Sequence, residues 1–467
     1  MNQNKIRFLK YVTCMVIAIV CSGCASPYED PSIADSRKPN VVIFFTDDQG
    51  TLDANCYGSK DLYTPTTDQL AQTGVRFTQA YAHQVCCPAR AMLMTGRYPQ
   101  RGNVNFWTQG DARDKQGRNM FRQEVTLAEV LRDSGYKTAL FGKWHLGADL
   151  DHGPTEQGFD EFFGFRGGFI DNYNHYFLHG NGYHDLYEGK KEVFAKDTYF
   201  PDLITERALQ YVDKNKDVPF FMYVAFNTPH YPEQADTKFD QRYKEMKMPR
   251  QSYAKMVSTT DDRMGRIMDR LDHHGLTQNT IVVFMSDNGH STEKNKIKVA
   301  NHKSGLPKGT NYGANGGGGN TGKWRGQKGT FFEGGLRVPA IISYPAELPK
   351  GVVRKQAITA MDWMPTILDL CEIALPDVKL DGKSLLPVIN SESAKSPYNA
   401  LHWQWGKRWA VRQGHWKLVG HLDKGQFLGN LNDPQPEKKN YLEEEPSVVK
   451  RLEALHDQWL KDVQPKH

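Results

Sequence analysis

Runs of consecutive apolar residues alternate along this chain with segments whose apolar residues recur at helical spacing. The runs at 40–45, 219–226 and 280–285 are apolar almost throughout, which is typical of strands covered on both faces of a sheet. Helices are predicted at 65–73, 126–134, 199–215 and 251–274. Strands that alternate with helices predict an α/β fold, with a large and mostly parallel central sheet flanked by helices.

The pattern changes after about residue 386. Short strands rich in tryptophan follow, and an acidic helix ends the chain. A length of 467 residues also exceeds what one hydrophobic core usually serves. We therefore expect a large α/β domain at 39–386 and a smaller C-terminal subdomain with an antiparallel sheet at 387–467.

The N-terminus has the pattern of a secretion signal. Basic residues precede an apolar run at 11–21, which is too short to span a membrane as a mature helix. The run ends in Ser22-Gly23-Cys24, which resembles a bacterial lipobox. We expect a signal peptide at 1–24, a polar tether at 25–38 and export to the periplasm or cell surface. Lipid anchoring at Cys24 is expected, with simple cleavage as the alternative; no other membrane contact is expected.

Composition excludes several classes of protein. The formal net charge is +5, from 59 basic and 54 acidic side chains. No basic block stands out, so we expect no nucleic-acid partner. Outside the signal segment the cysteines are Cys56, Cys86, Cys87 and Cys371. They are too few and too scattered for a disulfide framework.

The segment 86–97 places a thiol at the start of a helix. Pro88 suits a first helical turn, and Gly96 suits a C-terminal cap. Cys86 then lies where free backbone N–H groups favour negative charge, and Arg90 lies one turn further along. This arrangement predicts a nucleophile that faces an anionic group.

Acidic and amide side chains directly follow two of the buried strands. Asp47 and Asp48 follow the run at 40–45, and Asp287 and Asn288 follow the run at 280–285. These all-oxygen donors suit Ca²⁺ or Mg²⁺ rather than zinc or copper. A thiolate is a poor ligand for such an ion, so Cys86 in the same site suggests oxidation of its side chain to an oxygen ligand.

The sequence Cys-Cys-Pro-Ala-Arg-Ala-Met-Leu-Met-Thr-Gly-Arg at 86–97 resembles the signature of the type I, formylglycine-dependent sulfatases of the alkaline phosphatase superfamily. Further segments resemble this arylsulfatase-like family in the same order along nearly the whole mature chain. They are Gly-Lys-Trp-His-Leu-Gly at 142–147, Thr-Pro-His at 228–230, Ser-Asp-Asn-Gly at 286–289, Gly-Gln-Lys at 326–328 and Glu-Gly-Gly-Leu-Arg-Val-Pro at 333–339.

The resemblance implies an exported sulfatase that hydrolyses sulfate esters of a sulfated carbohydrate. A formylglycine-generating or anaerobic maturation enzyme would oxidise Cys86 to Cα-formylglycine. One Ca²⁺ ion, with Mg²⁺ as the alternative, would be held by Asp47, Asp48, Asp287, Asn288 and the modified Cys86. The other catalytic residues would be Arg90 and His145 at the formylglycine diol, Lys143 and Lys328 at the sulfate oxygens, and His230 as general acid for the leaving alcohol.

Two alternatives stay open at this point. Relatives with the same fold hydrolyse phosphodiesters or phosphonate monoesters, and fold alone does not decide between these reactions. The chain could also be a lipoprotein that binds sulfated glycan without catalysis. If His230 is not the general acid, His302 and His175 are the next candidates. The segment 164–187, dense in aromatic and amide side chains, suits a loop over a sugar site.

Overall fold

A ten-stranded mixed sheet forms the centre of the molecule. The computed structural model describes residues 38–113, 117–314, 317–421 and 425–464. The predicted signal peptide at 1–24, Cys24 and the tether up to residue 37 lie outside the described residues. The proposed domain boundary at 386/387 stays a prediction.

In chain order the described strands are β1 (Asn40–Thr46), β2 (Val75–Tyr81), β3 (Lys137–Lys143), β4 (Glu161–Phe165), β5 (Tyr176–Phe177), β6 (Tyr183–His184), β7 (Tyr187–Glu188), β8 (Lys191–Glu192), β9 (Phe220–Ala225), β10 (Thr280–Ser286), β11 (Arg337–Ser343), β12 (Val352–Thr359), β13 (Leu401–Trp405), β14 (Arg408–Gln413), β15 (Trp416–His421) and β16 (Gly425–Asn430). The described α-helices are α1 (Pro65–Thr73), α2 (Cys86–Thr95), α3 (Leu127–Asp133), α4 (Phe200–Asn215), α5 (Arg250–His273), α6 (Glu333–Leu336), α7 (Trp363–Leu370), α8 (Leu386–Asn390) and α9 (Pro446–Val463).

The central sheet has the strand order β12-β2-β11-β10-β1-β9-β3-β4-β7-β8. Its middle strands, from β10 through β1, β9 and β3 to β4, are all parallel. The antiparallel pairs lie toward the edges, where β11 joins β10 to β2 and where β7 and β8 follow β4. The predicted α/β class with a large, mostly parallel sheet is confirmed.

Strand β1 shows why the apolar runs form buried strands. All of its residues are buried, and successive side chains point to opposite faces of the sheet. Val41, Ile43 and Phe45 pack with residues of α2, α3 and α7 on one face. Val42 and Phe44 pack with residues of α1, α4 and α5 on the other face. Helices therefore cover both sides of the sheet.

The carboxyl ends of four central strands coincide at one edge of the sheet. Thr46 pairs with Ser286, Phe45 pairs with Ala225, and Gly142 pairs with Ala225. The residues that follow β1, β3, β9 and β10 therefore emerge side by side, at the edge where open α/β sheets place their ligands.

The C-terminal part forms a separate four-stranded antiparallel sheet, with the order β13-β14-β15-β16. Helix α9 packs on this sheet through Val448 and Leu452, which contact Trp409, Val411 and Leu418. The small antiparallel sheet with one helix is therefore confirmed. Within the residues that the structure describes, no helix has the length and apolar character needed to cross a membrane.

Candidate active site

Helix α2 presents Cys86 at its first position, as predicted. Val85, the N-cap residue, has an extended backbone, and the helix ends where Gly96 adopts φ 64° and its N–H donates to the carbonyl of Met92. Cys86 is buried beside Asp47, and burial together with the Asp47 charge raises the pKa of the Cys86 thiol well above its usual value. The unmodified side chain is therefore a protonated thiol and a poor nucleophile.

Four oxygen-bearing side chains from β1 and β10 lie next to this thiol. Asp48, which has φ 67°, donates its backbone N–H to Oδ1 of Asp287 at 3.1 Å. Nδ2 of Asn288 donates to Oδ1 of Asp48 at 2.7 Å. Ligand atoms of Asp47, Asp48, Cys86 and His230 all lie within 4.8 Å of one another. The structure thus brings together residues predicted to bind one metal ion, and adds His230 to them.

Three buried cations balance the three carboxylates. Nζ of Lys143 lies 2.6 Å from Asp47. Nη2 of Arg90 lies 2.8 Å from Asp287, and Nζ of Lys328 lies 2.9 Å from Asp48. Burial raises the pKa of each carboxyl group, whereas the nearby positive charges lower it.

The pKa values of the three carboxyl groups differ. Burial opposes the charged form of Asp47, but the positive charges of Lys143, Arg90 and Lys328 together hold its pKa below the usual range. Burial raises the pKa of Asp48 to about 8 against the pull of Lys328. Burial, with the Asp47 charge, raises the pKa of Asp287 to about 6. Asp47 is therefore the most strongly ionised of the three carboxyl groups.

The donor set fits a hard divalent cation. Oδ1 of Asp47 and Oδ1 of Asn288 are buried, and neither has a hydrogen-bond partner among the described residues. Buried oxygens without partners are costly, and carboxylate and amide oxygens are the ligands that Ca²⁺ and Mg²⁺ prefer. Among the residues predicted to bind the ion, Cys86 is the one whose donor, a sulfur atom, does not suit a hard cation.

Two histidines flank Cys86 in the cavity above the sheet edge. His145 has φ 56°, so the alternation of β3 stops before it. Both of its ring nitrogens are buried and have no partner in the described part of the chain. His230 donates from Nδ1 to the carbonyl of Tyr231 at 2.6 Å, which leaves Nε2 for other contacts.

Burial lowers the pKa of both histidines well below the usual value. For His145 the next cause is the positive charge of Lys143. For His230 it is the positive charge of Lys328. Both rings are therefore neutral in the free protein, so each can accept a proton before it donates one.

A cavity of about 640 Å³ lies over these groups. Its wall includes His179, from the predicted loop segment 164–187, and four residues that sequence reasoning missed, namely Trp107, Gln109, Tyr231 and Glu293. Trp107 stacks on His145 with ring centres 5.9 Å apart and remains 45% exposed. The aromatic segment 164–187 contributes to the wall, whereas His175 and His302 do not line it. Their ring nitrogens contact the Thr198 carbonyl and the Ser304 hydroxyl.

Solved structures of other proteins share this fold. Ps i-CgsB, solved in complex with k-i-k-neocarrahexaose, is 28% identical with a TM-score of 0.77, over 92% of this chain and 94% of that chain. The phosphonate monoester hydrolase of Agrobacterium radiobacter is 19% identical with a TM-score of 0.64, over 91% of this chain and 95% of that chain. The second likeness, at such low identity, shows the fold alone.

Sequence relatives identify the family. Arylsulfatase J of Mus musculus is 31% identical over 415 residues, which cover 83% of this chain and 65% of that protein. Arylsulfatase A of Homo sapiens is 32% identical over 389 residues, which cover 79% of this chain and 71% of that protein. This chain thus spans less than two thirds of the length of arylsulfatase J. The Sulfatase family model matches residues 39–373, and the N-sulphoglucosamine sulphohydrolase C-terminal model matches residues 322–464. The chain therefore belongs to the type I sulfatase family, the sulfuric ester hydrolases of the alkaline phosphatase superfamily.

Proposed function

We propose that this protein is an exported sulfatase that hydrolyses sulfate esters of a sulfated carbohydrate. One observation carries the proposal. The sulfur of Cys86 and carboxylate oxygens of Asp47 and Asp48 lie within 4.8 Å of one another, and three buried cations lie in the same site. Such a site can hold a divalent metal ion and an anionic substrate together.

Oxidation of Cys86 to Cα-formylglycine would replace the sulfur, which does not suit a hard cation, by oxygen. The hydrated aldehyde would offer an oxygen nucleophile, and a divalent ion held there would supply positive charge that favours its deprotonation. Asp47, Asp48, Asp287 and Asn288 would hold that ion with the modified side chain. A formylglycine-generating or anaerobic maturation enzyme is the partner that this modification requires.

The surrounding side chains have separate tasks in this proposal. Arg90 is fixed by Asp287 and by the carbonyl of Lys143, at 2.8 and 3.3 Å, and orients the side chain at position 86. His145, with two ring nitrogens that lack described partners, accepts a proton there.

Lys143 and Lys328 bind the sulfate group in this proposal, and His230 protonates the leaving alcohol. Lys328 lines the cavity and contacts the sulfate oxygens. Lys143, buried against Asp47, adds positive charge to the same site and stabilises negative charge on the sulfuryl group. The proton of the neutral His230 ring is on Nδ1, so Nε2 first takes up a proton and then gives it to the departing alcohol.

The walls of the site favour a saccharide of several units. Trp107, Phe169, Phe177 and Tyr183 line the cavity and suit packing against sugar rings. Lys294, Lys296, Lys298 and Lys308 line a second hollow of about 770 Å³ that has no acidic residue among its described wall residues. Lys298 is close enough to His179 of the catalytic cavity to lower the pKa of its imidazole, after burial and Lys328. These lysines suit further sulfate groups along the glycan.

The alternatives have weaker support. The likeness to a phosphonate monoester hydrolase, at 19% identity, concerns the fold and not the reaction. A protein that merely binds glycan has no use for a buried imidazole with both nitrogens available, as in His145.

A desulfation screen tests the proposal. Protein from a host with the maturation system is incubated with defined sulfated galactose, hexosamine, fucose and rhamnose sugars, and released sulfate is measured. A phosphodiester and a phosphonate monoester are run in parallel. We expect sulfate release by the parent protein and none by Cys86→Ala, together with an aldehyde at position 86 by peptide mass spectrometry. An active preparation with intact thiol at every Cys86, or activity on the phosphorus esters alone, would overturn the proposal.

Export is tested separately. The proposal places the protein in the periplasm or at the cell surface, anchored by a lipid on Cys24 after removal of the signal segment. Membrane fractionation of cells that express the parent and Cys24→Ala should show the parent with the membranes and the variant released. If the parent and Cys24→Ala are released equally, the signal segment is cleaved without lipid attachment. If both proteins stay in the cytoplasm, export is contradicted.

A further inference from the structure

We propose that the cleft between the central sheet and the C-terminal sheet is a second, non-catalytic binding site, which takes sulfate groups of a sulfated glycan. Binding of oxyanions there is argued from the cleft itself, whereas the choice of a sulfated sugar rests on the proposed function. The cleft has a volume of about 600 Å³. It shares no wall residue with the catalytic cavity among the residues described.

The wall of this cleft is strongly basic. Arg76, Arg337, Lys355 and Arg412 all line it, and none of the described wall residues is Asp or Glu. Arg76 and Lys355 come from the neighbouring strands β2 and β12, and Arg412 comes from β14 of the other sheet. Four cations that converge from two sheets create a positive potential that favours an anionic ligand.

Three of these cations have no carboxylate partner. Within the described ranges, no carboxylate oxygen lies within 4.0 Å of a charged nitrogen of Arg76, Lys355 or Arg412. Arg412 instead donates to the hydroxyl of Tyr81 and to Oε1 of Gln79. The amide of Gln79 in turn donates to the carbonyl of Lys355 at 2.6 Å. Neutral groups thus position Arg412 without cancelling its charge.

Arg337 supplies the second observation. It is 6% exposed, and its guanidinium carbon lies 3.9 Å from the ring centre of Trp324. Nε lies 3.2 Å from Oε2 of Glu333, yet this nitrogen is buried without a hydrogen bond to any described residue. Arg337 therefore adds a nearly buried positive charge to the wall of the cleft, and such a charge favours an oxyanion there.

Glu333 cannot neutralise Arg337 fully because other groups already use its carboxylate. The hydroxyl of Tyr81 donates to Glu333 at 2.6 Å, and Nζ of Lys417 donates at 2.9 Å. Lys417 also pairs with Glu437 at 3.1 Å. Two carboxyl groups, Glu333 and Glu437, thus face the three cations Lys417, Arg337 and Arg412, so a net positive charge remains beside the cleft.

The cleft is linked to the catalytic site through the chain. Thr51 and Leu52 line the cleft and follow Asp48 by three and four residues, and Trp324 precedes Lys328 by four residues. The same two loops therefore form part of the catalytic site and one wall of the cleft. A long glycan held in the cleft would be kept close to the catalytic cavity, which raises its effective concentration there.

Calorimetry with a sulfated hexasaccharide of the carrageenan type tests this site. The background is Cys86→Ala, so that the sugar is not consumed and binding is measured even if the proposed reaction is wrong. We expect the pair Arg76→Gln and Lys355→Gln to weaken binding on the order of tenfold, while the unsulfated hexasaccharide binds neither protein measurably. The matched control is Lys350→Gln, an exposed lysine before β12 that does not line the cleft, and it should bind like the background.

The same pair of substitutions in the active protein should leave turnover of a sulfated monosaccharide unchanged. Competition by inorganic sulfate and inorganic phosphate at equal ionic strength identifies the anion, and sulfate should displace the hexasaccharide at least as well as phosphate. Unchanged affinity in the double variant, an equal loss in Lys350→Gln, or displacement by phosphate alone would overturn the proposal. Unchanged thermal melting confirms that the variants fold.

Discussion

Nζ of Lys143 lies 2.6 Å from Oδ2 of Asp47, and neither side chain is exposed. Nη2 of Arg90 lies 3.9 Å from the same oxygen. These two cations keep Asp47 ionised although it is fully buried, whereas burial raises the pKa of the adjacent Asp48 to about 8. The pair therefore serves stability and function together, because an ionised carboxylate is what a hard metal ion requires.

Replacement of Lys143 by Met should destabilise the protein strongly. It removes the cation but leaves a buried carboxylate at Asp47, and loss of one partner of a buried ion pair costs about 3–5 kcal/mol. Urea unfolding followed by circular dichroism measures this loss. The matched control is Lys214→Met, since Lys214 forms an exposed ion pair with Glu161 at 2.6 Å and such pairs contribute at most about 1 kcal/mol. Equal effects of the two substitutions would contradict the role given to Lys143.

Removal of divalent metal by a chelator should lower both the melting temperature and the activity. Without the ion, the stabilisation from ligand binding is lost, and the crowded carboxyl groups of Asp47, Asp48 and Asp287 can be ionised together only at a cost. Differential scanning fluorimetry gives the first readout independently of turnover. Ca²⁺ or Mg²⁺ should restore both properties. Restoration by Zn²⁺ and not by either of these ions would contradict the argument from hard oxygen donors.

The sequence predicts the parts of this site that follow regular strands. Continuous apolar runs such as β1 and β10 are recognisable because both faces are buried, and Asp47 and Asp287 come directly after them. Fold class and the grouping of metal-binding candidates followed from that pattern. His230 was assigned from a turn after β9, but its place within 4.8 Å of Asp47, Asp48 and Cys86 needed three-dimensional coordinates.

The cavity walls were not predictable in the same way. Trp107, His179 and Tyr231 lie outside the helices and strands, so no hydrophobic period marks them. His145 shows a further limit, because its backbone φ of 56° breaks the alternation that a strand pattern assumes. Contacts between loops, rather than local propensity, bring these side chains to the site.

Trp107→Ala should raise KM for a sulfated saccharide by about tenfold and change kcat less. Trp107 stacks on His145 and is 45% exposed in the cavity, so its free face can pack against a sugar ring. Steady-state kinetics measure the split between the two constants. Phe106→Ala is the matched control, because Phe106 is 49% exposed but does not line the cavity. A similar rise in KM for both variants would show a general effect of the loop.

Stability should fall as the pH is lowered from about 6.5 to 4, in part because of His402 and His456. His402 of β13 and His456 of α9 both lie against the ring of Trp459, which also belongs to α9. Burial lowers the pKa of His402 to about 3, with a contribution from His456, and burial lowers the pKa of His456 to about 4. The unfolded chain therefore binds protons in this range that the folded protein does not, which favours unfolding by about 1.4 kcal/mol per pH unit for each histidine.

His402→Phe should reduce that pH dependence. The substitution removes one proton-binding group of the unfolded chain and keeps a ring that can stack on Trp459, as His402 does at 5.2 Å. Free energies of unfolding in urea at pH 7, 6 and 5 give the slope for the parent and the variant. An unchanged slope would mean that His402 is protonated in the folded protein.

His230→Ala tests the assignment of the general acid. The ring of His230 stacks on Phe169 with centres 5.3 Å apart, and Nδ1 is held by the Tyr231 carbonyl at 2.6 Å. This fixed ring leaves Nε2 to serve the leaving group at the cavity that also contains Cys86. A sugar alcohol is a poor leaving group and depends on protonation, whereas nitrophenolate does not. Loss of the acid should therefore slow desulfation of a sugar by about 10²- to 10⁴-fold.

The comparison between two substrates separates acid catalysis from sulfate binding. On nitrophenyl sulfate, if the enzyme turns it over, His230→Ala should retain a much larger fraction of the parent rate than on the sugar. His179→Ala is the matched control, because His179 lines the same cavity and its loss should affect both substrates by similar factors. If His230→Ala also loses equal factors on both, His230 contributes to sulfate binding. The proton would then have to come from a different group in the cavity, which His145 and His179 line and His175 and His302 do not.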